Sequence, residues 1–186
     1  MKRAFDILVS GAASFLLLPL FLVLWILIRA TSSGAAIYWS DRVGQNNTIF
    51  KMPKFRTMRT GTPAVATHLL QDPAAFLTPV GGFLRKTSLD ELPQLWSILS
   101  GRMSLVGPRP ALFNQYDLIA LRTQAGVHRL VPGLTGWAQV NGRDELPIAQ
   151  KVALDIEYLH RQSIQFDLNI LVLTFIKVIK RDNVSH

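Results

Sequence analysis

The longest apolar run comes first. Residues 7–28 hold no charged side chain, about 22 positions that include FLLLPLFLVLWILI. A helix of that length reaches across a bilayer hydrocarbon core of about 30 Å. Pro19, near its middle, lacks a backbone donor and crowds the preceding turn, which predicts a kink or break. Next, Ile37, Tyr38, Ser40 and Val43 predict a short strand, Gly44-Gln45-Asn46-Asn47 a turn, and residues 48–52 the returning strand. Leu92, Leu95, Trp96 and Leu99 fall at i, i+3, i+4 and i+7, the stripe of a short amphipathic helix that Gly101 stops. Residues 110–125 predict a helix with Leu112, Tyr116, Ile119 and Ala120 on one face. After turns at Pro132-Gly133 and Gly136, Trp137, Gln139, Asn141 and Arg143 alternate with small or apolar residues, which predicts a strand. Residues 146–162 and 164–179 predict two further helices. The pattern is that of an α+β chain, mostly helical with a small β element.

Charge changes how the ends are read. The chain of 186 residues is long enough to bury one core and carries a net charge of +8, with 49% hydrophobic residues. A basic, apolar chain suits an anionic membrane surface; no nucleic-acid-binding motif is present, so no nucleic acid is expected as a partner. The absence of cysteine excludes disulfides and thiolate metal sites. Lys2 and Arg3 precede the apolar run and Arg29 follows it, with Arg42, Lys51, Lys54, Arg56 and Arg59 beyond. Positive flanks favour the cytoplasmic side, so both ends prefer the same face. A re-entrant helix that enters one leaflet and bends back at Pro19 meets that preference; a kinked span is the alternative. Residues 1–30 are therefore expected to form the membrane helix and residues 31–186 one integrated domain. The 164–179 helix ends in basic residues and suits either the membrane interface or a core.

Candidate chemistry concentrates in residues 83–110, FLRKTSLDELPQLWSILSGRMSLVGPRP. Asp90 and Glu91 sit at or just before a helix N-terminus, which favours negative charge. Ser88-Leu89-Asp90-Glu91 also matches a capping box. Against a plain cap, Pro93 biases Leu92 away from helical geometry, and Arg85, Lys86 and Arg109 supply cations that a cap does not need. Arg109 lies between two prolines, on backbone that loses little entropy when its guanidinium meets an anion. Lys51, Lys54, Arg56 and Arg59 form either a solvated basic face or one wall of a phosphate site. The His residues, His68 among them, show no zinc spacing.

KFRTM at residues 54–58, then SLDELPQLW, SLVGPRP and PGLTGWAQVNGRD in that order resemble the bacterial sugar transferase family, small monotopic phosphoglycosyl transferases that act on polyprenol phosphate. The resemblance implies transfer of a sugar 1-phosphate from a UDP-sugar to undecaprenyl phosphate, releasing UMP, at the cytoplasmic face of the bacterial inner membrane in glycoconjugate biosynthesis. It implies that Asp90 is the nucleophile of a covalent aspartyl phosphosugar intermediate and that Glu91 holds Mg²⁺. It assigns Lys54, Arg56, Arg85 and Arg109 to substrate phosphates. Asp155 matches a carboxylate in the family's C-terminal region, while Gln139, Asn141 and Arg143, on one face of the expected strand, offer amides and a guanidinium that suit a nucleobase, sugar or phosphate or serve the structure. It favours the re-entrant form of the helix broken at Pro19, embedded in one leaflet; here Leu18 stands where the best-known members have serine. The chain resembles the minimal members, many of which use UDP-N-acetylamino sugars; a homodimer is compatible with the sequence, which leaves the oligomeric state open. The residues alone reach only a membrane-bound phosphate-handling site. They leave open a nucleotide-sugar hydrolase and a non-catalytic membrane tether.

Overall fold

The computed structural model describes residues 1–63, 65, 72–142 and 146–180. His68 and Arg143 lie outside the described residues. Helices α1 (Lys2–Leu16) and α2 (Leu18–Thr31) form a pair bent by 61°. The break at Leu17 falls two residues ahead of Pro19, where proline disturbs the carbonyls of the turn before it. Among the described residues no single helix is long and apolar enough to cross a membrane; only the bent pair together has that length and composition. Leu8, Phe15, Leu16, Leu22, Val23 and Ile26 of this pair are exposed.

The inner side of the pair is built into the body. Lys2 Nζ donates to the Val106 carbonyl at 2.9 Å and to the Asp167 carboxylate. Arg3 donates to the carbonyls of Ile98 and Leu99, and buried Asp6 accepts from the Leu105 N–H at 3.1 Å. Lys2 and Arg3, read above as flanking charges, thus have protein partners. Leu24 and Ile28 of α2 pack with Ala36, Phe55 and Leu84.

Strands β1 (Ile37–Val43) and β2 (Ile49–Phe55) make an antiparallel hairpin in which Ile37 faces Phe55 and Val43 faces Ile49. The returning strand runs on past residue 52 because Phe55 is drawn into the cluster with α2. A 3-10 turn at Pro73–Phe76 is capped by Asp72 accepting from the Ala75 N–H. Helix α3 (Gly81–Lys86), a 3-10 turn at Leu89–Glu91 and helix α4 (Gln94–Leu99) follow. The α4 stripe differs from the expected one. Its buried positions are Gln94, Ser97 and Ile98, whereas Trp96 is 65% exposed. Leu92 and Leu95 pack half-buried against the core clusters, so the stripe is kept in part and it is Trp96 that leaves it.

Strand β3 (Ser104–Val106) pairs in parallel with β4 (Gly133–Thr135). Helix α5 (Tyr116–Gln124) starts later than the expected residue 110, and Tyr116 is exposed. The chain before it is held to the hairpin, with the Val43 N–H donating to the Ala111 carbonyl at 2.9 Å. Residues 137–140 are not the expected strand but a short helix, α6 (Trp137–Val140), which buries Ala138, Gln139 and Val140; the strand lies just before it in β4. Helix α7 (Ile148–Arg161) agrees with expectation. Helix α8 (Ile164–Lys180) buries Phe166, Asp167 and Ile170 and leaves Leu168, Val172, Phe175 and Ile176 exposed. One side packs into the body and the opposite side presents an exposed apolar face. The principal cluster joins Met52, Ile98, Met103, Val106, Tyr158 and Ile170.

Two glycines explain the close approach of the β3 and β4 segments. A Cβ on Gly133 would lie 2.1 Å from the Gly107 nitrogen, and one on Gly107 would lie 2.4 Å from the Val131 carbonyl oxygen. Backbone cannot retreat as a flexible side chain does. Gly133→Ala is therefore expected to cost about 3 kcal/mol, read as a drop in the denaturation midpoint of the purified protein.

Candidate active site

The catalytic candidates converge through the hairpin, the 3-10 turn and the loop after β3. Ser88 adopts a left-handed conformation at φ 56° and makes no side-chain cap bond, so the capping-box alternative is not realised. Glu91 turns instead to cations. Lys54 Nζ from β2 and Arg109 Nη2 from the loop each lie 2.8 Å from Glu91 Oε1. Lys54 Nζ is also 3.8 Å from Asp90 Oδ2, so one ammonium spans both carboxylates.

Asp90 is buried, with 7% of its surface exposed. Burial raises its pKa to about 6 and neighbouring Glu91 adds to the rise, while Lys54, Arg109 and Arg85 oppose it. For Glu91, burial also favours the neutral acid, but Arg109 and Lys54 outweigh it by charge and hydrogen bonding and hold the carboxyl well below its usual range. Adjacent acids thus have opposite tendencies, Glu91 held toward its ionised form and Asp90 pushed toward its neutral one.

Arg85 is fixed by its Nε–H donating to Thr57 Oγ1 at 2.9 Å; burial lowers its pKa, partly offset by Asp90. Arg56 donates to the carbonyl and hydroxyl of Ser32 at the end of α2, and among the described residues its buried Nε–H has no hydrogen-bond partner. Lys54, Arg56, Arg85, Asp90, Glu91 and Arg109 all line one cavity of about 380 Å³, large enough for a nucleotide-sized ligand. Gln139 also lines it.

The other candidate residues sit elsewhere. Asn141 is exposed and donates to the Trp137 carbonyl at 2.8 Å, closing α6, and is not among the cavity residues. Asp155 is 1% exposed and accepts from Arg122 Nε and Nη2 at 2.9 and 2.6 Å. It lies behind the cavity wall. Sequence reading missed Arg42, Arg122 and Lys151, which line the cavity from β1, α5 and α7. One signal was available for Arg122: Asp155 shares a buried face with Val152 and Tyr158, and a carboxylate on an apolar stripe demands a buried cation.

Comparison with known proteins gives the site a lineage. A model described as bacterial sugar transferase matches residues 1–181. The exopolysaccharide production protein ExoY of Rhizobium meliloti (strain 1021) is 40% identical over 192 residues, covering 93% of this chain and 83% of its own. The uncharacterized sugar transferase EpsL of Bacillus subtilis is 38% identical over 188 residues, covering 100% of this chain and 90% of its own. The UDP-glucose:undecaprenyl-phosphate glucose-1-phosphate transferase of Escherichia coli is 38% identical over 186 residues, covering 95% of this chain but 40% of its own. With the match running through the bent helix pair, the acidic turn and the arginine loop alike, the chain belongs to the bacterial sugar transferase family.

Proposed function

We propose that the chain transfers a sugar 1-phosphate from a UDP-sugar to undecaprenyl phosphate, giving a polyprenyl-diphosphate sugar and UMP. The observation that carries this reading is the Asp90–Glu91 pair on the wall of a cavity ringed by Lys54, Arg85 and Arg109. Asp90, ionised, attacks the phosphorus nearest the sugar. The bond from that phosphorus to the oxygen bridging the two phosphates breaks, UMP departs, and an aspartyl phosphosugar remains. An oxygen of the lipid phosphate then attacks the same phosphorus and releases Asp90. Arg85, Arg109 and Lys54 hold phosphoryl oxygens in line, as cationic donors suit.

A divalent ion fits this donor set. Among the described residues no three His, Cys, Asp or Glu side chains cluster as a metal cage. Mg²⁺ commonly binds through one or two carboxylates plus substrate phosphates and water, and Glu91, held ionised, is the carboxylate to hold it. Bound there, Mg²⁺ would neutralise charge on the departing phosphate.

The bent apolar pair lies in one leaflet of the bacterial inner membrane from its cytoplasmic face, which puts the cavity at headgroup depth. The glucose and galactose named for several relatives favour a hexose donor over an N-acetylamino sugar. The test is UMP release by the full chain in nanodiscs with Mg²⁺, over a panel of UDP-sugars, with and without undecaprenyl phosphate. Release that needs both substrates supports the transferase. Lipid-independent release at the same rate would replace it with a hydrolase, and lipid binding without nucleotide-sugar affinity with a tether.

The pH profile is a further expected result. Protonated Asp90 cannot attack, so at limiting Mg²⁺ kcat/KM falls as pH drops through about 6. Added Mg²⁺ favours the ionised form, so saturating metal moves this acidic limb to lower pH. A limb that stays fixed across the Mg²⁺ series contradicts a shared carboxylate and metal site.

A further inference from the structure

Pro108-Arg109-Pro110 has backbone N–H at only one of its three residues, so carbonyl acceptors must anchor it. Each carbonyl is taken by a different element. The Gly133 N–H of β4 donates to Pro108 O at 2.9 Å, Arg122 Nη1 of α5 to Arg109 O at 2.8 Å, and Arg42 Nη1 of β1 to Pro110 O at 3.2 Å. Arg122 is the central hold. Its Nε and Nη2 both point to Asp155 Oδ2 of α7, which leaves Nη1 for the loop. Arg109 then reaches forward to Glu91 Oε1. A continuous line of contacts therefore runs from α7 through α5 and the loop to the acidic pair.

We propose that Arg122, oriented by Asp155, is a positioning residue that holds the Arg109 backbone so that its guanidinium stays on Glu91. Arg122 acts through Arg109, since the guanidinium edges that make these bonds are engaged within the protein. The fork geometry matters as much as the charge: lysine at 122 keeps the cation but cannot bond Asp155 and the loop in one fixed plane. Although its guanidinium lines the cavity, the role assigned here needs no contact with substrate.

This inference rests on the transferase reading, and a double-mutant cycle on turnover separates the two. Arg122→Lys is expected to lower kcat about tenfold in the otherwise unaltered chain, with the KM for UDP-sugar little changed, and by less than about twofold in an Arg109→Gln background. Asp155→Asn, close in size and read in the same cycle, repeats the test should Arg122→Lys not fold, and its thermal melting shows whether it is folded. Equal losses in both backgrounds overturn the relay and leave a purely structural ion pair. Full turnover by Arg109→Gln alone overturns the placing of Arg109 in the site, and the relay with it. Loss confined to the background that keeps Arg109 supports the proposal.

Discussion

Asp90→Asn ends turnover. The substitution keeps the shape of a side chain that is nearly enclosed and removes the charge on which the proposed nucleophilic attack depends. For a residue that forms the covalent bond, the loss is on the order of 10⁴-fold or more, because no neighbouring group takes over its part. UMP release falls by that factor, and a radiolabelled phosphosugar that is trapped on the unaltered protein is absent from the variant. The fold is expected to persist. Burial raises the pKa of Asp90, so a neutral amide there relieves a desolvation cost, and the melting temperature stays level or rises. An Asp90→Asn protein that melted normally and turned over at the original rate would remove covalent catalysis from the mechanism.

Glu91→Gln has a different signature. Glu91 accepts from Lys54 and Arg109 through the same oxygen, so losing its charge leaves two cations without their shared partner. Turnover is expected to fall about 10²- to 10³-fold, the scale of removing one preorganised electrostatic contact. Asp90 is untouched, so the labelled phosphosugar still forms, only slowly. The Mg²⁺ concentration for half-maximal rate rises, and because Glu91 raises the pKa of Asp90, the acidic limb of the pH profile moves down. Mg²⁺ titrations of kcat on the two proteins provide the check. An unaltered half-maximal concentration would take Glu91 out of the metal's coordination.

The contrast between what was legible and what was not follows from the range of the forces. Asp90, Glu91 and the Pro-flanked Arg109 stood out because each is chemically conspicuous in its own few residues. The break ahead of Pro19 and the β1–β2 hairpin were local as well, set by one missing donor and one turn. The errors came where tertiary contacts overrode local pattern. Trp137 to Val140 alternate in polarity, yet Gly136 is fully extended and the next four residues coil into a buried turn. The 92/95/96/99 stripe holds at Leu92 and Leu95, which pack against the core, while Trp96 turns outward and Gln94, Ser97 and Ile98 are buried instead. Arg42, Arg122 and Lys151 come from three distant elements, and only the packed fold brings them to the acidic pair.

The bonds at the start of α1 also bear on the order of assembly. Lys2 pairs with Val106, 104 positions away, and with Asp167, 165 positions away. During synthesis the apolar pair emerges long before those partners exist. Until then Lys2, Arg3 and Asp6 lack their folded-state partners, and the start of α1 can be fixed against the body only after Asp167 has left the ribosome. Contacts of such long sequence separation slow folding, so the docking of α1 onto the body is expected to be a late step.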